Sequence, residues 1–528
     1  MADSPLPRKL LQPIDRTAIL LILLFSLLIG GLLLKGDRTA PRIRNFNWAD
    51  RQVGAEDTAF VMSFSRPMDH ASVEQNLTIE PPLTGKYSWA GRRMAYTLDQ
   101  PAPYGTSFEV KLAKARDRFS RSDDARTQMQ PFVSQFQTRD RAFVYLGVEG
   151  AEAGRLILAN LSQKQQKILT PENLVVMDFK PYPNGDKILF SATERNSQTK
   201  GVLDQQLYTV TTGIIPRAPA TSLLESGNAP VSAPSSENPG EVKLVLDSQV
   251  YQNLKFDLSP DGRTIAVQRV KRDDPGDYGL WIIQGEAAPQ KVNADPGGNF
   301  LIAPDSQSLA MSQGQGMAIL PLATDAQTLD FLPKYGVILS FARDGSAAAM
   351  VKFNVNPENP TRSLFLVTNQ GVERQLLTTD GSILEAVFDP TKRTIYCLYT
   401  RRMPGEVYQE EPYIAAIPLP GPADVAQTQT ADGAKSPAKD VERYDLLQLP
   451  VQRDIQVSLA PDGLGLLFDQ VVAEAKPAAG SAIRSREGKV ITASQLWFLP
   501  LVQDKQGKPA PADPQPLELA GLRPRWLP

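Results

Sequence analysis

From residue 142 onward one unit recurs, and the chain ends inside a copy of it. The unit is a short apolar strand ending in a Pro-Asp-Gly turn, a second apolar strand, a charged loop and a third strand. Its clearest copy runs Phe256-Asp257-Leu258-Ser259-Pro260-Asp261-Gly262, then Thr264-Ile265-Ala266-Val267, then Leu280-Trp281-Ile282-Ile283. A second clear copy has its turn at Pro461-Asp462-Gly463, followed by Leu466-Leu467-Phe468 and Leu496-Trp497-Phe498-Leu499. Looser copies turn at Pro183-Asn184-Gly185, Pro304-Asp305-Ser306, Arg343-Asp344-Gly345 and Pro390-Thr391-Lys392. Residues 522–528 read as a first strand with nothing after it. Residues 143–146 and 155–158 read as second and third strands with no first strand before them. Joined, the two ends make one more unit, so the sequence predicts a closed ring in which 522–527 pair beside 143–146.

The tighter copies recur every 40–50 residues or so, about the length of one four-stranded propeller blade. Six copies and the split seventh predict seven blades, and departures from the pattern in three of the seven frames bound the count between six and eight. Closure also removes the exposed sheet edges that invite aggregation. The turn residues have a local reason. Proline fixes φ at the first corner, aspartate bonds back to the chain, and glycine accepts a positive φ. Each Asp is therefore read as serving its own hairpin rather than a metal or a reaction. The repeats resemble those of the TolB-like family of WD40-like β-propellers. The prolyl oligopeptidase family also carries a propeller, but no Gly-x-Ser-x-Gly elbow occurs here, and no residues remain for its hydrolase domain.

Composition narrows the chemistry. One cysteine, Cys397, and one histidine, His70, exclude an intrachain disulfide and a Cys/His zinc site. A formal charge of -2 gives no global field for nucleic acid, and none is expected as a partner. No cofactor motif and no catalytic or metal-binding constellation is read.

Residues 17–34 carry no charged side chain and lie between Arg16 and Lys35. At 1.5 Å per residue they reach about 27 Å, which predicts a transmembrane helix after a short tail, 1–16. No small-x-small cleavage site follows it. Basic residues on both sides leave orientation to the layout, a short tail and a large body, which favours the body outside the cytoplasm. The expectation is a single-pass membrane protein, anchored through this helix, with the bulk of the chain periplasmic or extracytoplasmic.

Residues 41–140 hold about seven short alternating runs between turn signals, the pattern of a β-sandwich. Phe64-Ser65-Arg66-Pro67-Met68-Asp69 and the run at 132–138 resemble elements of bacterial Ig-like domains. That resemblance implies a spacer or adhesion module, with Asp69 a turn former.

The fold class expected is thus all-β: a transmembrane helix (17–34), an Ig-like sandwich (41–140) and a seven-bladed propeller (142–528). Insertions at about 216–240 and 420–440 are poor in apolar residues and fall between third and fourth strands. Loops between second and third strands fall on the opposite face and carry charge. Arg269, Arg272, Asp273 and Asp274 stand in one, and Arg401, Arg402, Glu410 and Glu411 in another. A third, 473–491, includes Arg484, Arg486, Glu487 and Lys489. These rim residues are the candidate site for a protein or glycan partner, because a rigid ring positions its loops. The expected function is non-enzymatic binding in the cell envelope. Two alternatives stay open: a glycan enzyme using paired channel carboxylates, and a scaffold on the cytoplasmic side of the membrane.

Overall fold

The computed structural model describes residues 13–35, 40–119, 128–197, 204–215, 237–324, 327–354, 356, 358, 360–419, 441–452, 454–474 and 490–528. The insertion residues 216–236 and 420–440, and the third loop's Arg484, Arg486, Glu487 and Lys489, lie outside them.

The first expectation to fall is the anchor. Residues Pro13–Lys35 form an α-helix. Among the described residues, however, no helix is long and apolar enough to cross a membrane. The transmembrane helix, the single-pass membrane placement and the membrane as partner are therefore corrected.

Two compact units follow from the packing. The first comprises 1–51, 59–97 and 108–136. One sheet here joins Ile43–Phe46, Ala59–Phe64, Arg93–Leu98 and Gly85–Ala90 in that order. Leu77–Glu80 pairs with Ser107–Leu112 in another. Strand Ala59–Phe64 alternates half-buried and buried residues, as a strand with one core face must. Its inward Phe60 meets Phe46 and Trp48 edge-on at 5.3 and 5.4 Å, and Trp48 meets Phe136 at 4.9 Å. Asp69 caps a helix, His70–Asn76, by accepting from the Ser72 N–H at 3.4 Å. Sequence reading expected only a turn at Asp69.

The second unit, 52–58, 98–107 and 137–528, is built on seven four-stranded antiparallel sheets. Six are consecutive in the chain and are numbered here from the N-terminal side. Blade one is Leu174–Pro181, Lys187–Glu194, Gln206–Thr211 and Val242–Leu246. Blade two is Tyr251–Leu258, Thr264–Lys271, Tyr278–Gln284 and Gln290–Lys291. Blade three is Phe300–Ile302, Ser308–Gln313, Gly316–Pro321 and Asp330–Leu332. Blade four is Val337–Phe341, Ala347–Asn354, Thr361–Thr368 and Glu373–Thr379. Blade five is Ile383–Phe388, Thr394–Arg402, Glu410–Pro418 and Tyr444–Gln448. Blade six is Val457–Leu459, Gly465–Glu474, Val490–Pro500 and Gln515–Pro516.

The seventh blade is the split one. Gly521–Trp526 pairs with Ala142–Gly147, with Leu522 opposite Leu146 and Trp526 opposite Phe143. Leu156–Asn160 and Gln165–Ile168 complete it. This is the pairing the interrupted repeat requires. Second strands are apolar throughout their middle, because neighbouring blades cover both faces. Ile188, Leu189, Phe190, Leu466, Leu467 and Phe468 are fully buried, each stabilising the fold by about 1.5–3 kcal/mol.

Candidate functional site

Antiparallel order gives the ring two faces. Turns between first and second strands, and between third and fourth, lie on one face, the turn face. The loops between second and third strands lie on the other, the loop face.

On the turn face each repeat leans on the one before it. A Cβ on Gly262 would come within 3.1 Å of Pro183, and one on Gly463 within 3.1 Å of Pro390. Both glycines hold φ above 70°, so they are needed for the turn and for the close approach alike. Two turns lack glycine yet keep the conformation: Ser306 and Lys392, both at φ 58°. Their side chains reach back to the preceding blade. Ser306 Oγ accepts the Asp261 N–H at 3.1 Å, and Lys392 pairs with Asp344. The turn aspartates serve their own hairpins, as Asp261 does with Arg263 N–H at 3.0 Å and Asp305 with Gln307 N–H at 2.8 Å. Asp462 does more. One oxygen accepts Leu464 N–H at 3.1 Å, and the other accepts Tyr104 N–H at 3.0 Å.

That second bond belongs to a cover. Segments 52–58 and 98–107 pack with the ring as part of the second unit. Tyr104 is buried, its hydroxyl accepts the Ala55 N–H at 2.9 Å, and burial pushes its pKa up to about 12. Gly105 lies against Ser162 of the seventh blade. Gln100 and Pro101 help line a cleft of about 670 Å³ with the turns of blades five and six. The chain thus covers the turn face at blades five, six and seven.

Inside the ring, first strands are laced to their neighbours. Lys180 of blade one pairs with Asp257 of blade two, whose other oxygen accepts the Ile302 N–H of blade three at 2.7 Å. Ser340 of blade four donates to the Ala386 carbonyl of blade five at 2.6 Å. Glu385 of blade five accepts Val457 N–H of blade six at 3.0 Å and pairs with Arg525 at 3.3 Å. Asp469 of blade six, 0 % exposed, accepts Gln456 N–H at 2.8 Å and Arg523 N–H at 2.7 Å. Arg523 in turn donates to the Met177 carbonyl of blade one. The channel carboxylates Asp257 and Glu385 therefore each hold one cation and one main-chain N–H. That is the chemistry of bracing rather than of a proton-sharing acid pair.

Between blades three and four, among the described residues, no such bond joins the first strands. On the turn face a cleft of about 750 Å³ opens between the two blades, which share a buried cluster that includes Met317, Ile338 and Met350. Its walls include Ile319, Leu332, Phe341, Met350 and Val367. The space has a sequence origin. Where blade six places Leu466 and Leu467, blade three places Leu309 and Ala310, and blade four Ala348 and Ala349.

The eight rim residues separate into two groups, one on blade two and one on blade five. Arg269 is not in a loop but in strand Thr264–Lys271, 5 % exposed. Its guanidinium lies 4.8 Å from the Tyr251 ring and 5.3 Å from Trp281, and burial lowers its pKa. Arg272 pairs with Asp204 at 2.7 Å and donates to the Ser248 carbonyl at 2.6 Å. The two help line a pocket of about 350 Å³ with Glu194 and Gln249. Asp273 is exposed and faces Lys271 at 3.5 Å, and Asp274 accepts Gly276 N–H at 3.0 Å to shape the turn. Arg401 pairs with Asp445 at 2.6 Å over the Tyr413 ring. Glu411 takes Gln448 Nε2 at 2.6 Å and the Tyr413 hydroxyl. Burial acts to raise the Glu410 pKa, yet hydroxyls of Thr400, Tyr408 and Ser382 hold it below the usual range. Arg402 is exposed and stacks 5.5 Å from Tyr408. Next to Tyr408, Val407 is 71 % exposed. Sequence reading missed Val407 and Tyr408, although an apolar pair in a charged loop was there to be seen. It missed the covering segments and the cleft as well.

The chain matches no protein-family profile and no curated protein. Among solved structures it is similar to TolB from Acinetobacter baumannii, at 13% identity and a TM-score of 0.35 over 65% of this chain and 77% of that one. A putative TolB from Agrobacterium tumefaciens gives 13% and 0.29 over 55% and 94%. The tricorn protease gives 11% and 0.36 over 88% of this chain and 48% of that one. Similarities of this size leave the ring to be read from its own strand order.

Proposed function

We propose that this chain is a non-enzymatic binding module whose propeller takes a protein partner on its loop face. The observation that carries the reading is the apex of the blade-five loop. Val407 stands exposed beside Tyr408 and Arg402, an apolar, aromatic and arginine grouping of the kind that dominates protein interfaces. The cover over the turn face of blades five, six and seven supports it, since part of that face is already taken up by the chain itself. Arg269, Arg401, Glu410 and Glu411 hold the loop bases, and Arg402, Asp273 and Asp274 reach outward. The two-sheet sandwich serves as an Ig-like spacer in this reading.

A photo-crosslinking residue at Val407, with a control at Glu286 on the turn face, tests it in the native cell. A discrete adduct from Val407 alone, reduced at least tenfold by Arg402→Glu, is expected. Equal adducts from both positions would sink the loop-face assignment. Substrate turnover abolished by one channel substitution would sink the non-enzymatic one.

A further inference from the structure

We infer that a pocket on the loop face of blade one is a binding site for an alkylguanidinium group, held over the Tyr208 ring and against the Glu194 carboxylate. It stands apart from the Val407 apex, which belongs to blade five.

Strand alternation builds the pocket. Ala192 stands opposite Gln206 and Phe190 opposite Tyr208, so these side chains share one face of blade one with Glu194. Phe190 is fully buried and stacks on Tyr208 at 5.4 Å. Ser248, Gln249 and Arg272 close the other side and leave about 350 Å³, at the small end of ligand pockets.

In blade two the corresponding space is filled from within. Counted from the turn glycines Gly185 and Gly262, Ala192 corresponds to Arg269. Tyr208, opposite Phe190, corresponds to Trp281, opposite Val267. The Arg269 guanidinium lies 5.3 Å from the Trp281 ring. Blade one keeps the aromatic ring and carries a methyl group in place of the arginine. The space so left fits a planar cation that stacks on an aromatic face.

Charge agrees with that occupant. Glu194, Asp204 and Arg272 are the charged residues of the lining. Arg272 is paired with Asp204 at 2.7 Å. The Glu194 carboxylate forms no hydrogen bond or ion pair among the described residues, and its charge adds to burial in raising the Tyr208 pKa. The next residue, Arg195, turns away and donates to the Glu172 and Ala153 carbonyls at 2.8 Å each. Two carboxylates thus face one guanidinium, and the carboxylate left over is the one beside Tyr208.

The test uses the full chain with ring-labelled tyrosine, titrated with n-butylguanidinium and with its neutral counterpart n-butylurea. The signal missing from Tyr208→Phe identifies Tyr208. The expected result is saturable movement of that signal by butylguanidinium, with binding at least threefold tighter than that of butylurea. Glu194→Gln, at an exposed position, should weaken binding at least threefold. Ala192→Arg, which copies the blade-two arrangement, should abolish it. Should Ala192→Arg fail to fold, Glu194→Gln decides alone. Nα-acetyl-arginine methylamide separates two sources of the same group. Its binding assigns an arginine side chain of a protein, and its failure beside bound butylguanidinium assigns a free guanidino compound. An unmoved Tyr208 signal, equal affinity for butylurea, or indifference to Glu194→Gln each overturns the proposal.

Discussion

The closing strand and the seam between blades three and four solve opposite problems. The strand Gly521–Trp526 is held from three sides. It pairs with Ala142–Gly147, its Arg523 N–H enters the buried Asp469 carboxylate, and the Arg523 side chain reaches the Met177 carbonyl. Trp526 N–H also finds Ser458 Oγ at 3.1 Å. Between blades three and four the described first strands share no hydrogen bond, and Ala310 and Ala348 stand where blade six carries Leu467 and Leu466. Inside the seventh blade the ring is closed by hydrogen bonds rather than by chain, and a terminal strand frays unless tied down. Blades three and four are joined by chain and share a buried apolar cluster, but among the described residues no first-strand hydrogen bond laces them as other neighbours are laced.

The largest expected effect lies at the closing strand. Trp526 packs on Phe143 at 5.5 Å and on Phe498 at 6.4 Å. Trp526→Ala should cost about 3–5 kcal/mol. Deletion of residues 522–528 should cost more, because it also strips the partners of Phe143 and Leu146. Phe341→Ala, at the half-buried wall of the open seam, should cost about 1 kcal/mol, as part of its surface already meets water. Urea unfolding followed by tryptophan fluorescence ranks the three. Equal losses at the two seams would erase the distinction drawn between them.

Much of the ring was legible in the sequence because each repeat carries its own turn chemistry. Pro260-Asp261-Gly262 announces a hairpin wherever it stands, and a first strand at 522–527 without successors announces closure. The braces were not legible. Asp469, Glu385 and Asp257 sit in strands like any inward polar residue, and their partners lie 13 to 72 positions away. The charged rim residues were found by composition, but composition does not tell a loop apex from a loop base. Arg269 and Arg402 look alike in sequence, and one is caged while the other is exposed. The anchor was read from an apolar run alone. The cleft left only a faint mark, the alanines at 347–349 following a turn without its proline.

Asp469 supplies the next prediction. Burial raises its pKa from 3.8 to about 6, against the pull of the Arg523 and Gln456 N–H groups. The folded chain therefore binds a proton that the unfolded chain releases at lower pH. Its unfavourable term is absent below the unfolded pKa, grows between about pH 4 and pH 6, and is complete above that. Stability should fall across this window by up to about 3 kcal/mol from this group. Asp469→Asn should flatten that slope. It should also weaken the closing strand at low pH, since the amide NH₂ faces one N–H it cannot accept. A slope unchanged in the variant would assign the pH dependence elsewhere. Among the described residues no comparable buried carboxyl lines the open seam, so substitutions there should leave the slope intact.

The smallest effects lie on the two seams that flank the open one. Ser306 ties blade three to blade two, and Lys392 ties blade five to blade four. Each holds a left-handed backbone that costs an L-residue about 1–2 kcal/mol and a glycine little. Ser306→Gly relieves that strain and gives up one exposed hydrogen bond worth about 0.5–1.5 kcal/mol. Lys392→Gly relieves it and gives up an exposed ion pair worth about 0–1 kcal/mol. Both variants should stay within about 1 kcal/mol of the parent, with Lys392→Gly the more favourable. Because salt screens the ion pair but not the serine bond, high salt should favour Lys392→Gly further relative to the parent and leave Ser306→Gly unmoved. Losses of several kcal/mol in either would mean that the turn face, rather than the inner strands, holds neighbouring blades together. The open seam would then owe its cleft to the missing turn proline at Arg343, and Arg343→Pro should raise stability by up to about 1 kcal/mol.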